Sequence, residues 1–240
     1  MAKDSEPNLS IVIPAWNERE NLEVLLPALS KTLGPLDLNA EILVVDAAAD
    51  EGTRNSVEGL GARYLVQQER GYGGALMTGF SASRSDYVAT MDADLSHPPA
   101  YLKAFWENRD KAGLIIASRY VHGGRAEMGL SRYVLSRILN TTFSLLLGIP
   151  VKDMSSGFRM YRREQVLNLR LLSRDFDVLE EILVKIHHSG ARILEVPFHY
   201  MPRGAGRSHA KLLKFGIAYL KLLVRARREA GLSAPAPDSV

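Results

Sequence analysis

The stretch MDADLSHPP (91–99) sets two aspartates, Asp92 and Asp94, one residue apart where an apolar run stops and prolines begin. Carboxylate oxygens are hard ligands. An oxygen-only pair suits Mg²⁺ or Mn²⁺, ions that usually keep water and take further ligands from substrate phosphates. In an extended segment residues i and i+2 face the same way, which would aim both carboxylates at one cation. The plainer alternative is local: Asp94 caps a helix opening at Pro98, and Asp92 closes a turn. Other apolar runs end in the same manner. VIPAWNERE (12–20) meets a proline and leads Glu18 into a helix, VVDAAADEGT (44–53) reaches Asp46, and ASRY (117–120) reaches Arg119. Each alone reads as a cap or a surface charge, but together they converge on one edge of a sheet. The chain has no cysteine, which excludes disulfides and thiolate metal sites, and its six histidines are scattered.

Positioning these groups requires short strands alternating with helices. Apolar, β-branched runs predict strands at 9–13, 41–46, 63–67, 86–94 and 113–120. Helical periodicity and stop signals predict helices at about 18–33, 51–60, 73–84 and 98–111. This β-α-β order means a mostly parallel α/β sheet with helices on both faces, a Rossmann-like nucleotide-binding half that binds ligands beyond the strands' carboxyl ends. ERGYGGALMTGF (69–80) lacks the Gly-Lys-Ser/Thr of a Walker loop and has the wrong spacing for GxGxxG. It reads as a tight turn and helix start packed close to the ligand. After residue 120 come a loop (121–129), a long apolar and basic helix (130–148), a loop DMSSG (153–157) and FRMYRR (158–163) as an edge strand. A helix at 177–189, a strand at 191–200, a glycine- and arginine-rich loop and a last helix at 209–229 follow. We expect one domain over 8–229, with a nucleotide-sugar half (8–120), an acceptor and membrane-facing half (121–229), and flexible tails at 1–7 and 230–240.

Hydrophobic residues are 46% of the 240, enough for a sizeable core, and a charged fraction of 24% argues against disorder. The net charge of +3 (30 basic minus 27 acidic residues) gives no reason to expect a nucleic-acid partner. The start, MAKDSEPN, is unlike a signal peptide, and no run reaches the roughly 18 apolar residues of a membrane span. The expectation is a soluble or peripheral protein of a reducing compartment.

PAWNERENL, VVDAAADEGT, ERGYGGAL, MDADLSHPP, ASRY, SSGFRMYRR and EVPFHY occur in the order found in family 2 glycosyltransferases. Among these the chain most resembles the dolichol-phosphate (polyprenol-phosphate) mannose synthases. The resemblance implies an A-type glycosyltransferase fold, a GDP-mannose donor, a divalent Mg²⁺ or Mn²⁺, and inverting transfer to a polyprenyl or dolichyl phosphate. By the same resemblance, Pro14, Trp16 and Glu18 hold the nucleotide, with Trp16 where tyrosine is usual. Val45 and Asp46 lie by base and ribose. Asp92, Ala93 and Asp94 form the metal and diphosphate site, and Arg119 sits beside the phosphates, making Asp94 and Arg119 the catalytic pair. Arg132 and Ser136 receive the acceptor phosphate, and Arg203 belongs to a late loop that folds over the donor. Two positions depart from the pattern: Ala47 replaces a carboxylate used on the nucleotide, and His209 replaces a lysine. A lipid phosphate is already ionised at pH 7, so its oxygen needs no strong general base.

A lipid acceptor requires a membrane surface. In the last helix Lys211, Lys214, Lys221, Arg225 and Arg228 cluster opposite Leu213, Ile217, Leu220, Leu223 and Val224. That reads either as a core-covering helix with a solvated face or as an interfacial helix on anionic lipid. The helix at 130–148 is a second contact. Binding would be peripheral, on the cytoplasmic face, or would use a membrane-anchoring partner. Three alternatives compete: a haloacid-dehalogenase-like phosphatase, whose DxD follows an earlier strand; a degenerate nucleotide-sugar or lipid-phosphate binder; and a transferase with another donor, such as UDP-glucose.

Overall fold

The computed structural model describes residues 6–36, 38–167 and 169–201. Arg203, His209 and the helix expected at 209–229 lie outside the described residues.

Five strands of the first half form as the sequence predicts: β1 (Leu9–Ala15), β2 (Ala40–Asp46), β3 (Arg63–Val66), β4 (Tyr87–Thr90) and β5 (Leu114–Ser118). Between them lie α1 (Arg19–Leu33), α2 (Glu51–Gly59), α3 (Gly71–Ala82) and α4 (Leu102–Asn108), the last flanked by 3₁₀ turns. Strands β1, β2, β3 and β4 pair in parallel. The side chains of β1, β2 and β4 are mostly buried on both faces, as a covered parallel sheet requires, while those of β3, at the sheet edge, are exposed or half-buried. Ile11, Ile13 and Val44 point into a core built with Leu22, Leu25 and Phe105. Val12, Leu43 and Val45 point into a second core with Leu76, Phe80 and Ile182.

The second half contributes β6 (Arg125–Ala126), α5 (Leu130–Leu147), β7 (Arg159–Arg162), α6 (Glu164–Leu167), α7 (Val178–His188), β8 (Ile193–Pro197) and β9 (His199–Tyr200). The sheet order is β3-β2-β1-β4-β7-β5-β8. FRMYRR is therefore not an edge strand: β7 lies between β4 and β5, antiparallel to both. Its sequence is misleading because Arg159 looks like a surface residue. That side chain is fully buried, and its guanidinium donates to the carbonyls of Met154 (2.5 Å), Ser156 (2.7 Å) and Leu179 (2.6 Å). Because β7 runs backwards, its amino end lies beside the carboxyl ends of β4 and β5. The preceding loop, 153–158, thus arrives at the edge where the acidic pair sits. Two further expectations change. The loop at 121–129 contains β6, which pairs with β9, and the strand expected at 191–200 divides into β8 and β9.

Candidate active site

Four strand ends feed one edge. β1 leads to Trp16, Asn17 and Glu18; β2 ends on Asp46; β4 leads to Asp92; β5 leads to Arg119. β4 stops at Thr90, and Met91 N–H still bonds to the Val12 carbonyl (3.1 Å). Asp92 and Asp94 therefore lie in a loop rather than on an extended strand, and they occupy different environments. The Asp92 side chain is partly exposed and accepts from the Tyr72 hydroxyl (3.2 Å). Asp94 is buried, and its Oδ1 accepts from Ser96 N–H (3.1 Å) and Ser96 Oγ (2.5 Å). The local turn role and the pairing of carboxylates coexist in one loop.

His97 was hidden among the scattered histidines and lies directly beneath this loop. Its Nδ1 accepts from Asp92 N–H (2.9 Å), its Nε2 is 3.8 Å from Asp92 Oδ2, and its ring stacks on Phe158. Burial holds its pKa below 6.5, against the pull of Asp92 and Asp94, so the ring stays neutral and can both accept and donate. Tyr72 was inconspicuous between glycines. Burial and the Asp92 charge push its pKa well up, which keeps it a hydroxyl donor. The glycine-rich turn before it packs closely, as the sequence implies: Gly71 has φ +84°, and a Cβ there would collide with the Arg174 carbonyl. At Gly157 a Cβ would stand 2.9 Å from the Tyr72 hydroxyl and 3.4 Å from Asp92 Oδ1. The bare backbone keeps room beside the first carboxylate. Hard oxygen donors with open space next to them fit a divalent Mg²⁺ or Mn²⁺.

Arg119 is clamped. Asp153, with no exposed surface, accepts from Arg119 N–H (2.9 Å), Nε (2.7 Å) and Nη2 (2.6 Å). Burial opposes the arginine's charge, but Asp153 outweighs it and raises the pKa. Its guanidinium also lies over the rings of Tyr120 and Tyr200. Nothing in DMSSG marked Asp153 as a partner until β7 was placed inside the sheet. On α5, Ser136 Oγ accepts from the Tyr120 hydroxyl (2.7 Å), which leaves its own proton for another acceptor. Arg132, one turn earlier, is exposed.

The residues expected to hold the nucleotide are differently placed. Trp16 is 56% exposed just past the end of β1, and Pro14 pairs with Val45 across the β1–β2 ladder. Val45 and Ala93 are buried, so neither side chain faces a ligand. Asp46 is 1% exposed, and its carboxylate is engaged by Ala48 N–H (3.0 Å), Asp50 N–H (3.0 Å) and the Tyr64 hydroxyl (2.8 Å). It shapes the loop instead of reaching outward. Ala47 is exposed. Among the described residues, the non-glycine positions with positive φ are Asn17 (56°), Ala49 (54°) and Leu95 (66°). All three stand in loops that follow β1, β2 and β4, a concentration of backbone strain expected at a functional edge.

The sheet order and loaded edge define the A-type glycosyltransferase fold. The TM-score is 0.71 with glucosyl-3-phosphoglycerate synthase from Mycobacterium tuberculosis, crystallised with Mn²⁺, UDP and phosphoglyceric acid. That match covers 96% of this chain and 80% of the other at 20% identity, a likeness of fold alone. The family model for glycosyl transferase family 2 matches residues 10–169, and the chain belongs to that family. A dolichol-phosphate mannosyltransferase of Pyrococcus furiosus is 34% identical over 216 residues, 85% of this chain. This chain spans 59% of that relative's length. A polyprenol monophosphomannose synthase of Mycolicibacterium smegmatis is 32% identical over 222 residues, covering 82% of this chain and 79% of the relative.

Proposed function

We propose that the chain transfers mannose, with inversion, from GDP-mannose to a polyprenyl phosphate. The observation that carries this reading is the convergence of Asp92, Asp94 and the clamped Arg119 on the edge that also receives α5, in a chain akin to two mannosyltransferases. Asp92 and Asp94 would hold Mg²⁺ or Mn²⁺, which when bound supplies positive charge to the departing diphosphate. Among the described residues no group of three or more His, Cys, Asp or Glu forms a metal site, which suits an ion completed by substrate phosphate and water. Tyr72 and His97 orient Asp92. Arg119 adds fixed positive charge at the leaving group, held in place by Asp153. Arg132 and Ser136 orient the acceptor phosphate, whose ionised oxygen attacks the anomeric carbon. Trp16 stacks on the base, with Pro14 and Glu18 framing it. Arg203 and His209, outside the described residues, are assigned to the donor by the resemblance alone.

The acceptor's lipid fits α5. Leu130 (78% exposed), Val134, Ile138 and Leu145 (77% exposed) form an apolar row along one side of that helix. Such a row, turned away from the buried Asn140 and Phe143, supports peripheral contact with the cytoplasmic face of a membrane, with or without an anchoring partner. No helix among the described residues is long and apolar enough to cross a membrane. Residues 8–229 act as one domain in this reading. One observation favours a different donor: Asp46 is occupied and Ala47 has no carboxylate, so the usual acidic contacts to the nucleotide are missing here. A panel of GDP-mannose, UDP-glucose and UDP-GlcNAc with polyprenyl phosphate and Mg²⁺ or Mn²⁺, analysed for glycolipid, tests both readings. Mannolipid from GDP-mannose is the expected product. Glucolipid alone would reassign the donor, and no glycolipid from any donor would leave a binding protein.

A further inference from the structure

Helix α5 is 18 residues long, yet only Asn140 and Phe143 on it are buried. Asn140 is 2% exposed and uses its whole amide. Its Oδ1 accepts from the N–H groups of Met154 (2.7 Å) and Ser155 (3.3 Å). Its Nδ2 donates to the Ser136 carbonyl (2.8 Å) and Ser155 Oγ (3.3 Å). Ser155 Oγ in turn accepts from Arg119 Nη2 (2.8 Å). On the far side, Ser136 Oγ receives the Tyr120 hydroxyl, and Tyr120 is bonded through the chain to Arg119. The bonds close a ring: Arg119, Ser155, Asn140, Ser136, Tyr120 and back to Arg119. Only a planar amide offers two lone pairs and two N–H groups from one short side chain; aspartate lacks the donors and leucine lacks both. A buried, satisfied ring of this kind has few alternative geometries.

We propose that Asn140 is a positioning residue that couples the two substrate sites, tying the orientation of Arg119 on the donor side to the placement of Arg132 and Ser136 on the acceptor side. This rests on the assignment of α5 to the acceptor phosphate made above. Nucleotide diphosphate held at Arg119 then favours the arrangement of α5 that receives the lipid phosphate, and linkage makes the effect equal in both directions.

The test uses the full 240-residue chain, GDP with Mn²⁺, and a short-chain polyprenyl phosphate in detergent micelles. Calorimetry gives the Kd of GDP–Mn²⁺ with and without saturating lipid phosphate. The wild-type ratio should be roughly fivefold or more, the usual scale of such coupling. In Asn140→Ala it should fall to about one, while the Kd of GDP–Mn²⁺ alone moves by less than about threefold. Ser155→Ala, which cuts the same ring without changing a residue of α5, should lose the ratio too, and it decides the matter if Asn140→Ala does not fold. Thr141→Ala, on the exposed side of α5, should keep it. A merely structural role would lower the melting temperature or weaken both ligands and leave the ratio intact. A wild-type ratio in either folded ring variant overturns the inference. If wild type binds both ligands with a ratio near one, the coupling fails and the transferase reading stands. If it binds GDP–Mn²⁺ but no lipid phosphate, both fail.

Discussion

Asp153→Ala should be among the costliest single changes at this edge. The carboxylate has no exposed surface and takes three hydrogen bonds from Arg119, whose side chain is 11% exposed. Removing it strands a guanidinium that cannot shed its proton, and breaking a buried pair from one side costs about 3–5 kcal/mol. For a domain of this size each kcal/mol moves Tm by roughly 2–4 °C, so the melt should drop by about 6–20 °C. Asp153→Asn keeps the shape and one acceptor oxygen and should lose roughly half as much. The distinguishing variant is the double change Arg119→Met with Asp153→Leu. With both charges gone no ion is left uncompensated, and much of the stability should return. It should nevertheless be inactive, because the fixed charge proposed for the leaving group has gone as well. Thermal melts of the three variants, followed by GDP–Mn²⁺ titration, measure this. A drop under about 2 °C for Asp153→Ala, or a double variant no more stable than the single, would refute the clamp.

Four further outcomes follow from the same geometry. Asp94→Asn retains an acceptor for Ser96, so the fold should persist while Mn²⁺ affinity falls at least about tenfold and transfer stops; full turnover after EDTA treatment would contradict the metal role. Ala47 is exposed, so Ala47→Asp has room to reach the nucleotide, and a charge-assisted bond of roughly 1.5–3 kcal/mol should tighten GDP binding about tenfold to a hundredfold by calorimetry. Ala49→Gly relieves a left-handed backbone at φ 54° and should raise stability by roughly 0.5–1 kcal/mol in urea unfolding. Burial works against ionised Glu41, but Ser10, Arg84 and Arg63 together lower its pKa below 4.5; its contribution is therefore present above pH 4.5 and lost as pH falls through the lowered value. Glu41→Gln should accordingly cost about 1–2 kcal/mol at pH 7, with the difference closing in melts taken well below pH 4.5.

The strands and helices of the first half were legible because their apolar runs and stop signals are local. β1 to β5 fall within a few residues of where periodicity sets them. The carboxyl edge was legible for the same reason, since Asp92, Asp94 and Arg119 each follow an apolar run. The position of β7 was not. Four residues with two arginines carry no sign of lying mid-sheet, because the burial of Arg159 is offset by main-chain carbonyls, two from the loop before it and one from Leu179, that no residue pattern marks. Everything that depends on β7 was hidden with it: Asp153 as the clamp of Arg119, Gly157 beside Asp92, and Asn140 meeting the 153–155 loop. His97 was in plain view within DADLSHPP, but its role comes from a bond to the Asp92 main chain, which no spacing rule reveals. Asp46 was correctly placed at the edge, yet its carboxylate is taken by its own loop and by Tyr64 from the next strand.

The insertion of β7 has a consequence for synthesis. A nascent chain emerging up to Ser118 carries β1 to β5, but its fifth strand has no neighbour. β4 presents an open flank, and β5 reaches the sheet only through four residues made some forty positions later. Until Arg162 leaves the ribosome, β4 keeps one open flank and β5 has no partner, the condition under which sheets join to the wrong partner. Chains cut short between residues 120 and 158 should therefore be insoluble, and the carboxyl edge is completed late, by the same segment that delivers the arginine's clamp.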